Sequence, residues 1–236
     1  MPEENYLPCS SHECQDRMMG MNHPPETTAS LPSVLPIFPL ESALLLPRGE
    51  LPLNIFEPRY IAMVDDALRT SRMIGMVQPR SEGTAVPALH KVGCAGKITQ
   101  FVETGDGRYM LCLTGLARFR IVDELSVVTP YRQCKVTFDE YAADLSTSAS
   151  DIMDRASVIS TLRSFAEANR LKIDWKSIDQ TPDDALVTAL SMMCPFGPNE
   201  KQALLEATSL KNRAEVLVAI TEVEIAKRNG PANRIQ

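Results

Sequence analysis

Cysteine and histidine are the residues in this sequence that could ligate a metal ion or attack a substrate. Cys9, His12, Cys14 and His23 lie close together near the amino terminus, and thiolates combined with imidazoles are typical zinc ligands. Their spacing does not match the paired-knuckle pattern of a zinc site, and the segment around them is polar. We therefore predict a solvated tail here and no metal ion.

A second pair with possible chemistry is His90 and Cys94, since an imidazole can activate a thiol as a nucleophile. The pair sits at the entry of a predicted strand without a carboxylate to orient the histidine, so we interpret Cys94 as a small buried thiol. The sequence has no G-x-S-x-G, H-E-x-x-H or paired C-x-x-C motif, and residues 93–98 lack the spacing and hydroxyl of a phosphate-binding loop. We expect no catalytic residue, no cofactor and no enzymatic activity.

The composition is that of a folded globular chain. Its 236 residues, 44% of them hydrophobic, allow one large domain or two small ones. The net charge of −6 opposes binding to nucleic acid and to anionic membrane surfaces. No apolar stretch approaches the roughly 18 residues of a membrane span, and the first residues lack the features of a secretory signal. We expect a cytoplasmic protein whose six scattered cysteines are reduced.

The chain divides into a tail and two bodies. Residues 1–30 contain few bulky apolar groups and are predicted to form a disordered arm. Residues 31–140 read mostly as short strands separated by Pro and Gly, which favours a closed or partly closed barrel. Within them, residues 99–104 and 108–114 flank a Gly-Asp-Gly turn and predict a hairpin, and Pro58 suits the first position of a helix.

Residues 141–236 have helical periodicity and predict a bundle, in which Pro198 suits the first turn of a helix. In one of its helices Leu186, Ala189, Leu190 and Met193 recur on one face, which predicts a buried stripe. Residues 142–150 are small and polar and are expected to join the two bodies. The predicted fold class is α+β, with a β-rich subdomain followed by a C-terminal helical bundle.

Five short segments carry a combined pattern that would be weak in any one of them. They are residues 35–40 (LPIFPL), 51–60 (LPLNIFEPRY), 74–79 (IGMVQP), 115–121 (GLARFRI) and 200–206 (EKQALLE). Together with Gly93 and Gly96, they resemble the amino-terminal, substrate-binding domain of the Lon proteases over about residues 33–226. The resemblance implies a PUA-like β pseudo-barrel beside a helical bundle, with residues 31–230 forming one domain.

The resemblance also implies a function. It indicates a non-catalytic module that binds unfolded or tagged proteins and peptides, in a stand-alone form without the ATPase and peptidase of the full protease. A separate protease is a candidate partner, whereas nucleic acid and membrane are not expected.

Seven residues in the matching segments are candidates for binding: Phe56, Glu57, Arg59, Tyr60, Met76, Gln78 and Arg118. For residues 56–60 the structural alternative is the start of a helix, and for Met76 it is core packing. Arg118 and Arg120 alternate with Phe119, so on a strand we expect Phe119 inside and both arginines on a solvated face. Lys201 and Gln202 are expected on a helix surface.

Two other functions remain open from the sequence. A PUA-like RNA-binding module predicts a basic face and an affinity that falls steeply with salt. A small-ligand-binding protein or cysteine hydrolase predicts a concave site with a thiol of lowered pKa beside a base.

Overall fold

The computed structural model describes residues 27–41, 43–80, 87–146 and 153–229. The strands in these ranges are β1 (Val34–Pro39), β2 (Glu50–Ile55), β3 (Met73–Val77), β4 (Val92–Glu103), β5 (Tyr109–Glu124) and β6 (Arg132–Thr137). The α-helices are α1 (Pro58–Arg69), α2 (Arg155–Asn169), α3 (Trp175–Gln180), α4 (Asp183–Met193), α5 (Pro198–Glu206) and α6 (Leu210–Asn229). Two short 3-10 helices span Thr28–Ser30 and Asp139–Leu145, and residues 1–26, with the Cys9–His23 cluster, lie outside the described residues.

The strands form one sheet that closes on itself. Their order is β2-β5-β4-β3-β1-β6, and β5 also pairs with β6, so five of the strands complete a ring. Strands β1 and β3 are parallel, and the other pairs are antiparallel. Strand β5 can pair with β2, β4 and β6 because it is 16 residues long. This arrangement confirms the α+β class and the predicted barrel, to which β2 is added as an outer strand.

Phe119 fills the inside of the ring. It is fully buried in a cluster with Leu35, Ile37, Ala117 and Cys134, which come from strands on different sides of the barrel. Glycines make room for its ring: a Cβ at Gly93 would lie 2.6 Å from Phe119 Cζ, and a Cβ at Gly75 would lie 2.9 Å from the same atom. The inward orientation expected for Phe119 is therefore confirmed.

The local signals for turns and helix starts are also confirmed. The turn between β4 and β5 contains Gly105 with φ 71° and Gly107 with φ 80°, conformations that glycine adopts without steric cost. Helix α1 begins at Pro58 and helix α5 begins at Pro198, in both cases at the position where proline's missing N–H is not needed.

The helices and the barrel share an apolar core. A single cluster of buried side chains contains Met76 and Cys94 from the strands together with Leu186, Val187 and Leu204 from the helices. Burial of such side chains is worth about 1.5–3 kcal/mol each, so the contact between the strands and the helices contributes strongly to stability.

Arg118 is the main polar link between the same elements, and the expectation that it lies on a solvated face is wrong. Its side chain is only 6% exposed and forms an ion pair of 2.8 Å with Asp144, which is 9% exposed. Arg118 Nη1 also donates to the carbonyl oxygens of Leu205 and Ala207, at the end of α5. The alternation along β5 was misleading because the 3-10 helix and α5 cover this face of the strand.

Asp144 binds Arg118 in three ways. Its carboxylate accepts hydrogen bonds from the backbone N–H, from Nε and from Nη2 of Arg118. Burial lowers the pKa of Arg118, but the hydrogen bonds and charge of Asp144 more than offset this, so that the pKa lies above its ordinary value. Asp144 lies in residues 142–150, the segment predicted to join the two bodies. The first part of this segment, up to Leu145, belongs to the 3-10 helix and is attached to the barrel.

Lys201 and Gln202 are buried rather than on a helix surface, so that expectation is also wrong. Lys201 is 8% exposed and Gln202 is 5% exposed. Gln202 Nε2 donates to the backbone carbonyl of Val92 at 3.2 Å, and Gln202 Oε1 accepts from Gln78 Nε2 at 3.2 Å. Helix α5 thus presents polar side chains to the barrel, and Gln202 is accommodated there because it bonds to β4 and to the residue after β3.

The Arg118–Asp144 pair yields a stability prediction. We expect Asp144→Ala to lower the free energy of unfolding by about 3–5 kcal/mol, because it leaves a buried guanidinium without its counter-charge. Urea denaturation followed by circular dichroism measures the effect. The matched control is Glu140→Ala, which breaks the exposed pair with Arg120 and is expected to leave stability unchanged within error. Equal effects of the two substitutions would show that Arg118 does not depend on Asp144.

Candidate functional site

An open cleft of about 460 Å³ lies between the connection that precedes β2 and helix α4. One wall is formed by Pro47, Arg48, Gly49 and Glu50. The other wall is formed by Pro182, Asp184, Ala185, Thr188, Ala189, Met192 and Met193. The cleft therefore lies between the β-rich and the helical parts of the chain.

Helix α4 provides the apolar surface of the cleft. Ala185, Ala189 and Met193 are spaced by four residues and therefore lie along one face of the helix. This face is exposed, and the Met193 side chain is 82% exposed. The buried face of α4 is formed by Leu186 and Val187 instead. The predicted buried stripe was correct for Leu186 and wrong for Ala189 and Met193, because α4 is apolar on both faces.

Glycine lets the strand side approach α4 closely. Gly49 packs directly against Met192. A Cβ at residue 49 would lie 2.3 Å from Met192 Sδ, so a larger residue would clash unless Met192 moved. The connection is also fixed to β5: the Arg48 N–H donates to the Gly115 carbonyl at 2.8 Å, and the Gly115 N–H donates to the Gly49 carbonyl at 2.8 Å. A Cβ at Gly115 would lie 2.0 Å from the Leu46 carbonyl oxygen, so this contact requires glycine.

Charged groups form the rim of the cleft. Arg48 Nη1 lies 3.3 Å from Asp184 Oδ2 across it, and Arg48 Nη2 donates to the Ser146 carbonyl at 2.6 Å. Arg48 adopts a positive φ of 64°, which directs the chain through the tight connection. An apolar floor inside a polar rim is the usual arrangement of a protein-binding surface.

The cleft does not match the cysteine hydrolase alternative. Among the residues described, none of its lining residues is a cysteine or a histidine. The four cysteines in the described ranges have pKa values above their ordinary range, mainly because of burial, and those of Cys134 and Cys194 rise to about 11. The Cys94 thiol donates to the Ala95 carbonyl, and burial lowers the pKa of His90. These directions are opposite to those that a cysteine nucleophile requires.

The seven residues that the sequence analysis named as binding candidates lie outside the apolar cleft. Phe56 is 63% exposed after β2, and Glu57 and Arg59 form an exposed ion pair of 2.8 Å. Tyr60 is 6% exposed, with its ring 4.3 Å from that of Phe38 and the Arg59 guanidinium 4.5 Å from its centroid. Burial raises the pKa of Tyr60, so its hydroxyl stays protonated. Residues 56–60 are thus the start of α1, packed on β1.

The other three candidates are buried. Met76 is 3% exposed and Gln78 is 2% exposed, and Gln78 Nε2 bonds to the Pro198 carbonyl as well as to Gln202. Arg118 is held as described above. None of the seven lines the apolar cleft. The signal that could have identified the cleft is the composition of α4, in which apolar residues occupy too many positions for one buried face.

The fold defines a class: a closed β-barrel of mixed topology with a helical bundle packed against it. Comparison with known families is more specific. Residues 34–222 match the family model of the ATP-dependent protease La (LON) substrate-binding domain. Because the match covers most of the chain, the protein belongs to this family.

Individual relatives agree with this assignment. Lon protease 2 of Myxococcus xanthus is 30% identical over 80% of the chain, and Lon protease of Dictyoglomus thermophilum is 28% identical over 89%. The chain covers 24% and 26% of these two proteins, so it spans about a quarter of the length of the curated relatives it matches.

Solved structures show the same fold. The Lon N-terminal domain protein from Xanthomonas campestris superposes with a TM-score of 0.57 at 23% identity. The N-terminal domain of the Mycobacterium avium complex Lon protease gives 0.56 at 18% identity. In each case the match covers 80% of this chain and 98% of the other.

The described part of the chain contains neither a membrane-spanning helix nor a cluster of metal ligands. None of the described helices combines the length and apolar character needed to cross a bilayer. In the same residues, no group of three or more His, Cys, Asp or Glu side chains is placed to hold a metal ion.

Cysteine reactivity tests the chemical inertness of the described thiols. In a Cys9→Ser/Cys14→Ser variant at neutral pH, we expect Cys134 and Cys194 to react with iodoacetamide about a hundredfold more slowly than free cysteine, since a pKa raised by about two units leaves correspondingly less thiolate. Mass spectrometry of timed samples gives the rates. The same variant in concentrated guanidinium chloride is the control and should react rapidly. A native thiol that matches free cysteine would instead favour the hydrolase hypothesis.

Proposed function

We propose that this protein binds extended apolar segments of unfolded or tagged polypeptides in the cleft between residues 47–50 and helix α4. The observation that carries the proposal is the exposed apolar face of α4, with Met193 82% exposed at its end. The description of the family as a substrate-binding domain supports the choice of a polypeptide as ligand.

The side chains of the cleft suit a binding surface that accepts many sequences. Methionine is unbranched and polarizable, so Met192 and Met193 can adapt to differently shaped apolar groups. Ala185 and Ala189 leave the surface between them low, which gives an extended chain room to lie along the helix. Arg48, Glu50 and Asp184 on the rim can hydrogen bond to a peptide backbone, which has the same groups in every sequence.

We further propose how and where the protein acts on its clients. The protein acts without catalysing a reaction, and it works in the cytoplasm, where it presents bound polypeptides to a separate protease. Residues 31–140 and 141–236 act as two subdomains of one folded unit, because the cleft is formed by both. Phe56 and the Glu57–Arg59 pair, which are exposed at the start of α1, are a candidate second contact for the same clients.

Substitution of Met193 tests the proposed cleft. We expect Met193→Asp to weaken binding of a fluorescein-labelled, amidated peptide rich in Leu, Ile and Phe by about tenfold or more, since burial of a methionine side chain is worth about 1.5–3 kcal/mol. Ala189→Arg, which fills the cleft, should have the same effect. Fluorescence anisotropy measures the affinity, and mass spectrometry checks that the peptide stays intact.

The control for this experiment is Val223→Asp, which places the same charge on an exposed valine of α6 outside the cleft. Thermal unfolding of all the variants checks that they are folded. Wild-type affinity in both cleft variants contradicts the location, and equal binding of a matched peptide with Ser and Asn in place of the apolar residues contradicts the function.

A further inference from the structure

A second, polar cleft of about 560 Å³ is lined on one side by the Asp139–Leu145 helix. It is formed where β4 and β5 meet the end of α5. Its polar lining includes Arg80, His90, Lys91, Arg120, Glu140 and Glu206. The ion pairs and hydrogen bonds in this lining decide which of its charges are free for a ligand.

Arg80 and Lys91 supply the free positive charge. Both are exposed, and within the described ranges no ion pair joins either of them to a carboxylate. Arg120, by contrast, is held by two hydrogen bonds of 2.6 Å to Glu140. Glu206 receives a hydrogen bond of 2.7 Å from Gln202 Nε2.

The surroundings of the cleft add to its positive charge. Arg118 lines its floor, and behind Arg118 lies Arg213, which is 8% exposed and donates to the Leu204 carbonyl. Burial lowers the pKa of Arg213 to about 10, and the positive charge of Arg118 contributes to this decrease. The Arg213 guanidinium is still charged at neutral pH. Asp144 is the carboxylate that these two arginines share. In and beneath the cleft, five cations therefore face three carboxylates, although the whole chain carries a net charge of −6.

This charge balance favours a small, singly charged anion. Glu140 and Glu206 line the cleft and would repel a ligand with several negative charges, such as a nucleic acid backbone. A carboxylate carries one charge and can accept hydrogen bonds from the Arg80 guanidinium and the Lys91 ammonium together. Burial lowers the pKa of His90, so its ring is neutral at neutral pH and offers a hydrogen bond without further charge.

The two clefts are close enough to serve one ligand. Ala143 lines the polar cleft, and Ser146, three residues later, accepts the hydrogen bond from Arg48 on the rim of the apolar cleft. Three residues of chain span at most about 10 Å, which is the length of three extended peptide residues. A short extended peptide can therefore reach from one cleft to the other.

We propose that the polar cleft binds a carboxylate of the polypeptide held in the apolar cleft, through Arg80 and Lys91. This inference rests on the proposed polypeptide-binding function. The carboxylate can come from the carboxyl terminus of the client or from an Asp or Glu side chain beside its apolar segment, and both offer the same group to the cleft.

Three forms of one apolar peptide test the proposal. The first is amidated and has no acidic residue, the second has a free carboxyl terminus, and the third is amidated with one Asp beside the apolar segment. We expect the second or the third to bind the wild-type protein about fivefold more tightly than the first at low salt. The advantage should decrease when salt is raised from about 25 mM to about 300 mM.

Matched variants show whether the polar cleft causes the tighter binding of the peptides that carry a carboxylate. Arg80→Gln/Lys91→Gln should abolish the advantage, whereas Lys135→Gln/Lys172→Gln, which removes the same charge from exposed positions outside the cleft, should keep it. A preference for the second peptide identifies the terminal carboxylate, and a preference for the third identifies an acidic side chain.

Three other outcomes would contradict the carboxylate site, the binding function or both. If the three peptides bind with equal affinity, or if the advantage survives in Arg80→Gln/Lys91→Gln, the carboxylate site is refuted and the polypeptide-binding function stands. If none of them binds, both proposals fail. A short RNA that binds the wild-type protein and is lost in Arg80→Gln/Lys91→Gln would replace the carboxylate by a nucleic acid.

Discussion

The buried guanidinium of Arg118 connects the parts of this molecule that have to stay in register. It belongs to the longest strand, its carboxylate partner belongs to the helix that follows β6, and its carbonyl partners lie at the end of α5. The carboxyl end of a helix carries partial negative charge, so the cation is stabilised by α5 as well as by Asp144. Because these elements line the polar cleft, the shape of that cleft depends on this one interaction.

The residues that mark the family and the residues that form the clefts are largely different. Tyr60, Met76 and Gln78 belong to the recognisable segments and are buried, where they join the strands to α1 and α5. Met193, Ala189 and Lys91 lie outside those segments and are exposed. This separation is physically reasonable, because packing restricts side chains inside the protein, whereas a surface that accepts many clients requires only apolar character and room.

Local signals in the sequence were sufficient for the parts of the fold that local chemistry determines. The β4–β5 hairpin follows from its glycines, and the starts of α1 and α5 follow from Pro58 and Pro198. Alternation along β5 placed Phe119 correctly but misplaced Arg118, because it cannot show that a second layer covers the other face. Periodicity likewise could not distinguish the two apolar faces of α4, so it could not show which of them is exposed in the apolar cleft.

Phe119 limits where the protein can change shape. With this ring packed between Gly75 and Gly93, buried side chains fill the inside of the barrel, so its wall cannot bend inward without a clash. Under the proposed function, the apolar cleft therefore adapts to side chains of different size through Met192 and Met193 and through small shifts of α4 against the rigid barrel. In that proposal the barrel is a fixed support, and helix α4 sets which side chains the cleft accepts.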